Sequence, residues 1–344
     1  MATNIVTSIG NEGCVKRKKN SITTEIQLTE VCAGQINGEC NKTGMFYQLT
    51  LLFVSCIAMI KNGFLVFLMI TRNEKCRKRG FPYTVYKLGR NKKHVSSLFV
   101  DGFSKWNAQA KWGATTCDSL ELFYHYQERV FPNLGNNFEG FITKWWIGKM
   151  ENRQAVTNRL KMVIGLLAVE ISKQENPRIL SIASGSADAV IAAIKKCPDK
   201  DVHVVLIDVN QDSLDAAKKA ATEAGIVNCF QFVKTSYARA FTYLKTFKPN
   251  IVEMVGFLDY LDDAMATRLF KAIKNGLPAS GVFLTCNIIP NKEKIFLDWV
   301  LLWNMIYRTV DEMKTLVDDA GFSRGKSEIY LEPLGIHQVA VCRK

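Results

Sequence analysis

Residues Arg178 to Asp208, RILSIASGSADAVIAAIKKCPDKDVHVVLID, read as strand, tight loop, helix, second strand and terminal acid. Ile179, Leu180 and Ile182 form a short apolar run suited to a buried parallel strand, and Val202 to Ile207 form another. Between them Ala183, Gly185 and Ala187 alternate with Ser184 and Ser186. With no bulky side chain in the loop, the backbone can approach a ligand at the start of the following helix. Asp208 falls about twenty residues beyond the loop, where a carboxylate can accept both hydroxyls of a ribose. The stretch has the shape of a nucleotide-cofactor loop, although a small-residue turn in an ordinary α/β protein has the same local pattern.

Two kinds of cofactor use this geometry. A dinucleotide pyrophosphate requires G-x-G-x-x-G against the helix N-terminus. Here the pattern is Ala183-x-Gly185-x-Ala187 followed by Asp188, a carboxylate that repels phosphate. S-adenosylmethionine carries no phosphate and has a cationic sulfonium and ammonium, so it tolerates the acid. The loop leans towards a methyl donor, and a nicotinamide-dependent oxidoreductase is the alternative enzyme. A catalytically silent, membrane-tethered binding protein of the same fold is the alternative outside enzymology.

Downstream and upstream of this stretch, apolar runs and helical periods alternate as strand 178–183, helix 188–197, strand 202–207, helix 211–224, strand 228–234, helix 237–247, strand 250–256, helix 263–275, strand 281–287 and helix 293–306. A helix over 309–320 and strands near 326–331 and 336–342 close the chain, with Gly335 permitting a hairpin. The alternation predicts a Rossmann-like α/β fold: a seven-stranded, mostly parallel sheet with an antiparallel last strand, its ligand at the carboxyl ends of the strands. Asn152 to Lys173 has helical spacing and ends before Pro177. Residues 98–150 are dense in large aromatic rings and read as a helical N-terminal cap that closes over the cofactor and lines an apolar acceptor pocket. His125 sits there between Tyr124 and Tyr126, as a candidate base or a packed core histidine.

The net charge of +13 is unevenly distributed. Residues 1–97 hold 15 lysines and arginines against 5 acids, whereas the remainder holds 30 against 27. The nearly balanced second part argues against a nucleic-acid substrate. Residues 1–48 are polar and aperiodic and read as disordered. Leu49 to Ile70 is apolar and long enough to span a bilayer, although Lys61 near its middle costs about 3 kcal/mol on insertion scales. Arg72, Lys75, Arg77, Lys78 and Arg79 follow, which predicts a single-pass membrane anchor with the enzyme on the cytoplasmic side; without an anchor the chain is cytoplasmic. Residues 71–97 read as a basic linker near anionic lipid. Ten scattered cysteines suggest reduced thiols, and no Cys/His spacing suggests a metal. Nothing in the pattern fixes an oligomeric state.

Residues 151–344 resemble the class I S-adenosylmethionine-dependent methyltransferases, and VEMVGFLDYLDD (252–263) and PNKEKIFLDWVLLWNMIYRT (290–309) are similar to a bacterial subgroup linked to methyl ester formation on hydroxy fatty acids. The resemblance implies a cofactor loop at Ala183, Ser184, Gly185, Ser186 and Ala187 and a ribose-binding acid at Asp208. It further implies adenine contacts near Ser236 and Tyr237, and a methionine and acceptor junction at Phe257, Leu258, Asp259 and Tyr260. Ser181 stands where many members have an acid, which leaves the sulfonium-side charge to Asp188 or Asp259. Asn287 and Arg308 are candidates for holding a small or lipid-like acceptor, Arg308 by a bidentate grip on a carboxylate. A carboxylate is already a nucleophile; a hydroxyl or amine needs a base, for which His125, Asp259 and Tyr260 are the candidates.

Overall fold

The apolar runs assemble into one sheet. The computed structural model describes residues 27–30, 40–114, 116–322 and 326–344. Its strands are β1 (Gln27–Glu30), β2 (Arg178–Ile182), β3 (His203–Asp208), β4 (Phe230–Lys234), β5 (Ile251–Met254), β6 (Val282–Ile288), β7 (Glu328–Leu331) and β8 (His337–Arg343). Their order is β1-β7-β8-β6-β5-β2-β3-β4. β2 to β6 pair in parallel, and β8 runs antiparallel to both β6 and β7. The seven-stranded Rossmann-like sheet with a reversed last strand is therefore present.

An eighth strand extends it. β1 pairs in parallel with β7, from Gln27 opposite Glu328 to Glu30 opposite Leu331. The disorder expected of residues 1–48 thus fails at Gln27–Glu30, because the edge of β7 offers unpaired backbone groups to any extended segment. It fails again from Met45, where a helix begins; residues 1–26 and 31–39 lie outside the described residues.

The helices are α1 (Met45–Arg72), α2 (Glu74–Gly89), α3 (Lys105–Trp112), α4 (Cys117–Tyr124), α5 (Phe138–Thr143), α6 (Glu151–Lys173), α7 (Asp188–Lys195), α8 (Gln211–Glu223), α9 (Ala240–Thr246), α10 (Asp263–Gly276), α11 (Lys294–Trp299) and α12 (Val310–Asp319). Strand periodicity divides the core. Leu180, Ile182, Val252 and Phe283 pack with Phe270 and Leu316 of α10 and α12, whereas Ile179, Leu206 and Leu284 pack with Val163, Val190 and Ala217 of α6, α7 and α8. Each fully buried large side chain contributes about 1.5–3 kcal/mol.

The expected basic linker is instead helical. Asn73 caps α2 by accepting from the amides of Lys75 and Cys76, at 3.0 and 3.2 Å. Gly80, at φ +75°, kinks the helix just before Pro82. Beyond the kink Val85 and Leu88 pack with Val66 of α1 and with Leu302. Helical spacing within a charge-rich run is enough to dock it.

The aromatic segment forms α3 to α5 and shares its core with the rest of the chain: Phe123 and Trp146 stack on Trp303 and Phe296. α6 enters this core at its amino end with no side-chain cap of its own. Glu293 supplies one from a distance, accepting from the amides of Glu151 and Asn152 at 2.9 and 2.8 Å. A carboxylate there also complements the helix dipole.

One helix is shorter than its periodicity implies. α11 stops at Trp299, and the chain turns at Leu302, φ +52°. It returns so that Ile306 and Arg308 donate to the carbonyls of Asp259 and Ile288. The helix expected over 293–306 therefore ends early. Trp299 lies against α1 near Gly63, and Trp303 reaches a cleft at the strand ends.

Candidate active site

After β2 the chain crosses outward to β3 and β4, then returns to place β5 on the other side of β2. This reversal opens a crevice beyond the strand ends, the usual ligand position in such sheets. It is occupied by a cleft of about 720 Å³ bounded by the 183–190 loop and helix, Asp208 to Asn210, Glu253, Val255 to Phe257, α4, α6 and Trp303. That volume lies within the ordinary range for ligand sites.

The loop after β2 is left-handed at alternate positions: Ala183 at φ +54°, Gly185 at +54° and Ala187 at +57°. A glycine adopts this conformation freely, whereas each alanine pays roughly 1 kcal/mol or more. The turn is held in place by Asp208, whose two carboxylate oxygens accept from the amides of Gly185 at 2.9 Å and Asn210 at 2.8 Å. Ser184 Oγ is buried in the cleft wall with no partner.

The acid missing from β2 is supplied by the neighbouring strand. Ser181 lies opposite Glu253 of β5 and donates its hydroxyl to that carboxylate, which also accepts from the Val255 amide at 3.0 Å. Burial pushes the Glu253 carboxyl up to about 7, opposed by the hydrogen bonds from Ser181 and Val255 and by the Arg159 charge. The sequence reading assigned this charge to Asp188 or Asp259. Asp188 does line the cleft, but burial and the adjacent Glu121 push it up to about 6. It is joined to Ser186 at 3.0 Å.

At the far side of the cleft stands Arg159, 2% exposed, projecting from α6. Its contacts are long: Nη2 to Tyr124 Oη at 3.3 Å and Nη1 to His337 Nδ1 at 3.5 Å. Its Nε is buried with no partner, and so is His337 Nε2. Burial and the Arg159 charge hold His337 well below its ordinary value, so it is neutral. Nδ1 accepts from Arg159, which leaves Nε2 as a free donor. Phe123, Leu297, Trp303 and Met305 form the adjoining apolar wall.

Several expected site residues lie elsewhere. Arg308 is buried with its donors committed: Nε to Asp263 Oδ1 at 2.9 Å, Nη1 to Leu258 O and Asn287 Oδ1, and Nη2 to Leu261 O. Asn287 spends its amide on Asp259 and on Ile306 O. Neither lines the cleft, because the return of residues 302–309 beneath it absorbs both into a structural network. Arg308→Ala is expected to cost about 3–5 kcal/mol in urea unfolding, leaving acceptor KM within about threefold of wild type.

Ser236 is exposed and Tyr237 reaches the cleft wall only through Phe257, with ring centroids 5.1 Å apart. His125 belongs to the adjoining depression, paired with Glu128 at 2.9 Å and Glu121 at 3.5 Å. Asp259 and Tyr260 do line the cleft. Asp259 accepts from Asn287 and the Ile288 amide, and Tyr260 accepts from Trp303 Nε1 at 2.6 Å. Burial and the Asp259 charge raise the Tyr260 phenol, which makes it a poor base at neutral pH.

Arg159, His337, Glu253 and Tyr124 are site residues that the sequence reading did not single out. Arg159 carried a signal: it lies three residues after Val156 and next to Leu160, a guanidinium beside the apolar stripe of a core helix. The other three depend on pairing across strands and on the fold of the cap, which leave no local pattern.

No curated protein matches the chain. Among solved structures, a protein described as a possible exported protein of Bordetella parapertussis shares the fold, with TM-score 0.58 and 14% identity over 76% of this chain and 95% of that one. A protein of Nostoc punctiforme PCC 73102 described as a "putative O-methyltransferase" gives TM-score 0.43 and 22% identity over 54% and 60%. Magnesium protoporphyrin IX methyltransferase of Synechocystis PCC 6803, with bound SAH, gives 0.44 and 11% over 57% and 88%. Over residues 111–344, which include every wall of the cleft except Tyr86 and Arg90, the chain matches the family described as "Putative methyltransferase" and belongs to it.

Proposed function

We infer that the chain is a class I, S-adenosylmethionine-dependent methyltransferase that acts on the carboxylate of a small or lipid-like acceptor. The residues present fit that donor. Asp208 offers carboxylate oxygens at the end of β3, the 183–187 loop carries no charge, and Glu253 provides a buried acid for a cation. Ser184 Oγ has an unused hydrogen-bonding capacity at the loop. The bound donor supplies an electrophilic methyl group.

The observation that carries the acceptor assignment is Arg159: a buried guanidinium with a free Nε, next to the free His337 Nε2, against an apolar aromatic wall. Asp259 supports the guanidinium charge, and an entering carboxylate adds charge-assisted bonds at the donor left free. The acceptor oxygen needs no deprotonation, so the chain's task is alignment. Phe123, Trp303 and Leu297 exclude water while Arg159 fixes the carboxylate; good alignment lowers such barriers by about 7 kcal/mol or more.

The test is calorimetric titration of S-adenosylmethionine, and separately NADH, into the full chain. It is followed by transfer of labelled methyl to carboxylic, hydroxyl and amine acceptors, beginning with hydroxy fatty acids. Donor binding with label in an alkali-labile ester supports the assignment. NADH binding in its place would favour an oxidoreductase, and donor binding without turnover a silent binding protein.

Glu253 adds a pH dependence. Its folded pKa, about 7, is above the ordinary 4.5. The folded state therefore holds more protons between these values, and its contribution to stability is lost as pH rises through that window, by at most about 1.4 kcal/mol per pH unit. Binding of a cationic donor has the opposite trend, since it favours ionised Glu253. Donor affinity is expected to rise about tenfold from pH 6 to pH 8, and Glu253→Gln to flatten that rise; a flat wild-type profile would remove Glu253 from the donor site.

A further inference from the structure

α1 is polarised the wrong way for a protein in water. At about 100° per residue, Leu49, Phe53, Ile57, Ile60, Phe64 and Phe67 form one stripe, and Tyr47, Leu51, Ser55, Ala58, Asn62 and Val66 form another on the opposite face. The second stripe is the buried one and holds Ser55 and Asn62. The first is exposed: Phe53 by 67%, Ile60 by 73% and Phe64 by 62%. Scattered exposed apolar residues are ordinary, but a continuous aromatic and aliphatic stripe along a helix of 28 residues is not. At its amino end the surface continues through Phe46 onto Trp145 and Phe141, with ring centroids 5.9 and 6.1 Å apart.

Charge identifies the complement. Arg72, Lys75, Arg77, Lys78, Arg79 and Lys87 follow the stripe on exposed positions, with Glu74 the single acid from residue 72 to residue 93. Lys149 stands over the Trp145 ring at the other end. Lys61, the charge that would burden a spanning helix, is tied back to the carbonyl of Val95. Asn62 donates to Trp299 O at 2.8 Å, and Gly63 faces the Trp299 ring. A helix crossing the bilayer would have to give up this docked face and expose Ser55 and Asn62 to lipid.

We propose that α1 lies in the plane of an anionic lipid surface, its outer stripe immersed and its inner stripe still docked on the enzyme. The chain is then a monotopic membrane protein through this face. Tyr86 and Arg90 of the same basic hairpin line the cleft, so the mouth opens at that surface and an acidic, lipid-like acceptor enters from the membrane. This last clause rests on the acceptor assignment above; the membrane contact does not.

The experiment is co-sedimentation of the full chain with vesicles of phosphatidylcholine alone and of phosphatidylcholine mixed with phosphatidylglycerol. Mixed vesicles are expected to bind at least about tenfold more tightly. Phe53→Ser/Ile60→Ser/Phe64→Ser removes binding to both, with the melting temperature unchanged because the altered side chains are exposed. Lys75→Glu/Lys78→Glu/Arg79→Glu removes only the preference for the anionic lipid. Release of the bound chain by alkaline carbonate supports an in-plane helix. Resistance to carbonate, with residues before α1 protected from protease inside the vesicles, would overturn it in favour of a spanning helix. Absence of vesicle binding would overturn it, and dimerisation that the triple serine variant abolishes would then assign the stripe to a second copy. Methylation of a water-soluble carboxylate by the serine variant reports separately on the activity, so either reading can fail without the other.

Discussion

Asp208→Ala is expected to weaken S-adenosylmethionine binding at least about 100-fold in calorimetry. Two charge-assisted hydrogen bonds to a ribose are together worth about 3–5 kcal/mol. The same carboxylate also fixes the amides of Gly185 and Asn210, so the variant loses loop geometry along with the proposed ribose contacts. Asp208→Asn is the milder change, turning a donor on one of the two loop amides. It keeps one acceptor oxygen and the side-chain shape, and a loss of about tenfold is expected. Retention of wild-type affinity by Asp208→Ala would place the donor elsewhere and remove the basis for reading this cleft as its site.

Arg159→Met is expected to lower kcat/KM for a carboxylic acceptor by about 10²–10³-fold, the loss of a charge-assisted, desolvated contact. Donor affinity is expected to stay within about threefold. Stability provides an independent readout: Nε has no partner and the other contacts of the guanidinium are long, so methionine of similar length is expected to stay within about 1–2 kcal/mol of wild type in urea unfolding. Activity lost while stability is kept marks a binding residue, the usual trade-off at such sites. If Arg159→Met instead abolished donor binding, the guanidinium would belong to the donor's own carboxylate. If it unfolded the protein, the contacts with Tyr124 and His337 would be structural.

The contrast between Arg308 and Arg159 illustrates what a linear reading can reach. Arg308 stood just beyond an expected helix and inside a segment similar to a methyl-ester-forming subgroup, and its type suited a carboxylate. The chain turns at Leu302, and the guanidinium is consumed by Asp263, Leu258, Asn287 and Leu261. Nothing local announces that turn. Arg159 looked like one of many charged positions on a long helix, and becomes a site residue only because α4, β8 and the loop after β5 converge on its face.

The apolar runs and their spacing, read without the structure, determined the parallel sheet, its reversed last strand, the loop at Ala183–Ala187 and the acid at Asp208. Those features depend on period, chirality and short-range turn chemistry, which are written locally. Tertiary structure decided the rest. Placing β5 beside β2 put Glu253 opposite Ser181 and so replaced an acid that the β2 position lacks. The docking of α1 decided which of its two faces is free, since an apolar composition alone gives a helix the same length and hydropathy whether it crosses a bilayer, lies on it or packs against protein. Contacts between residues far apart in sequence set charge, burial and exposure, and these quantities turn a legible fold into a specific site.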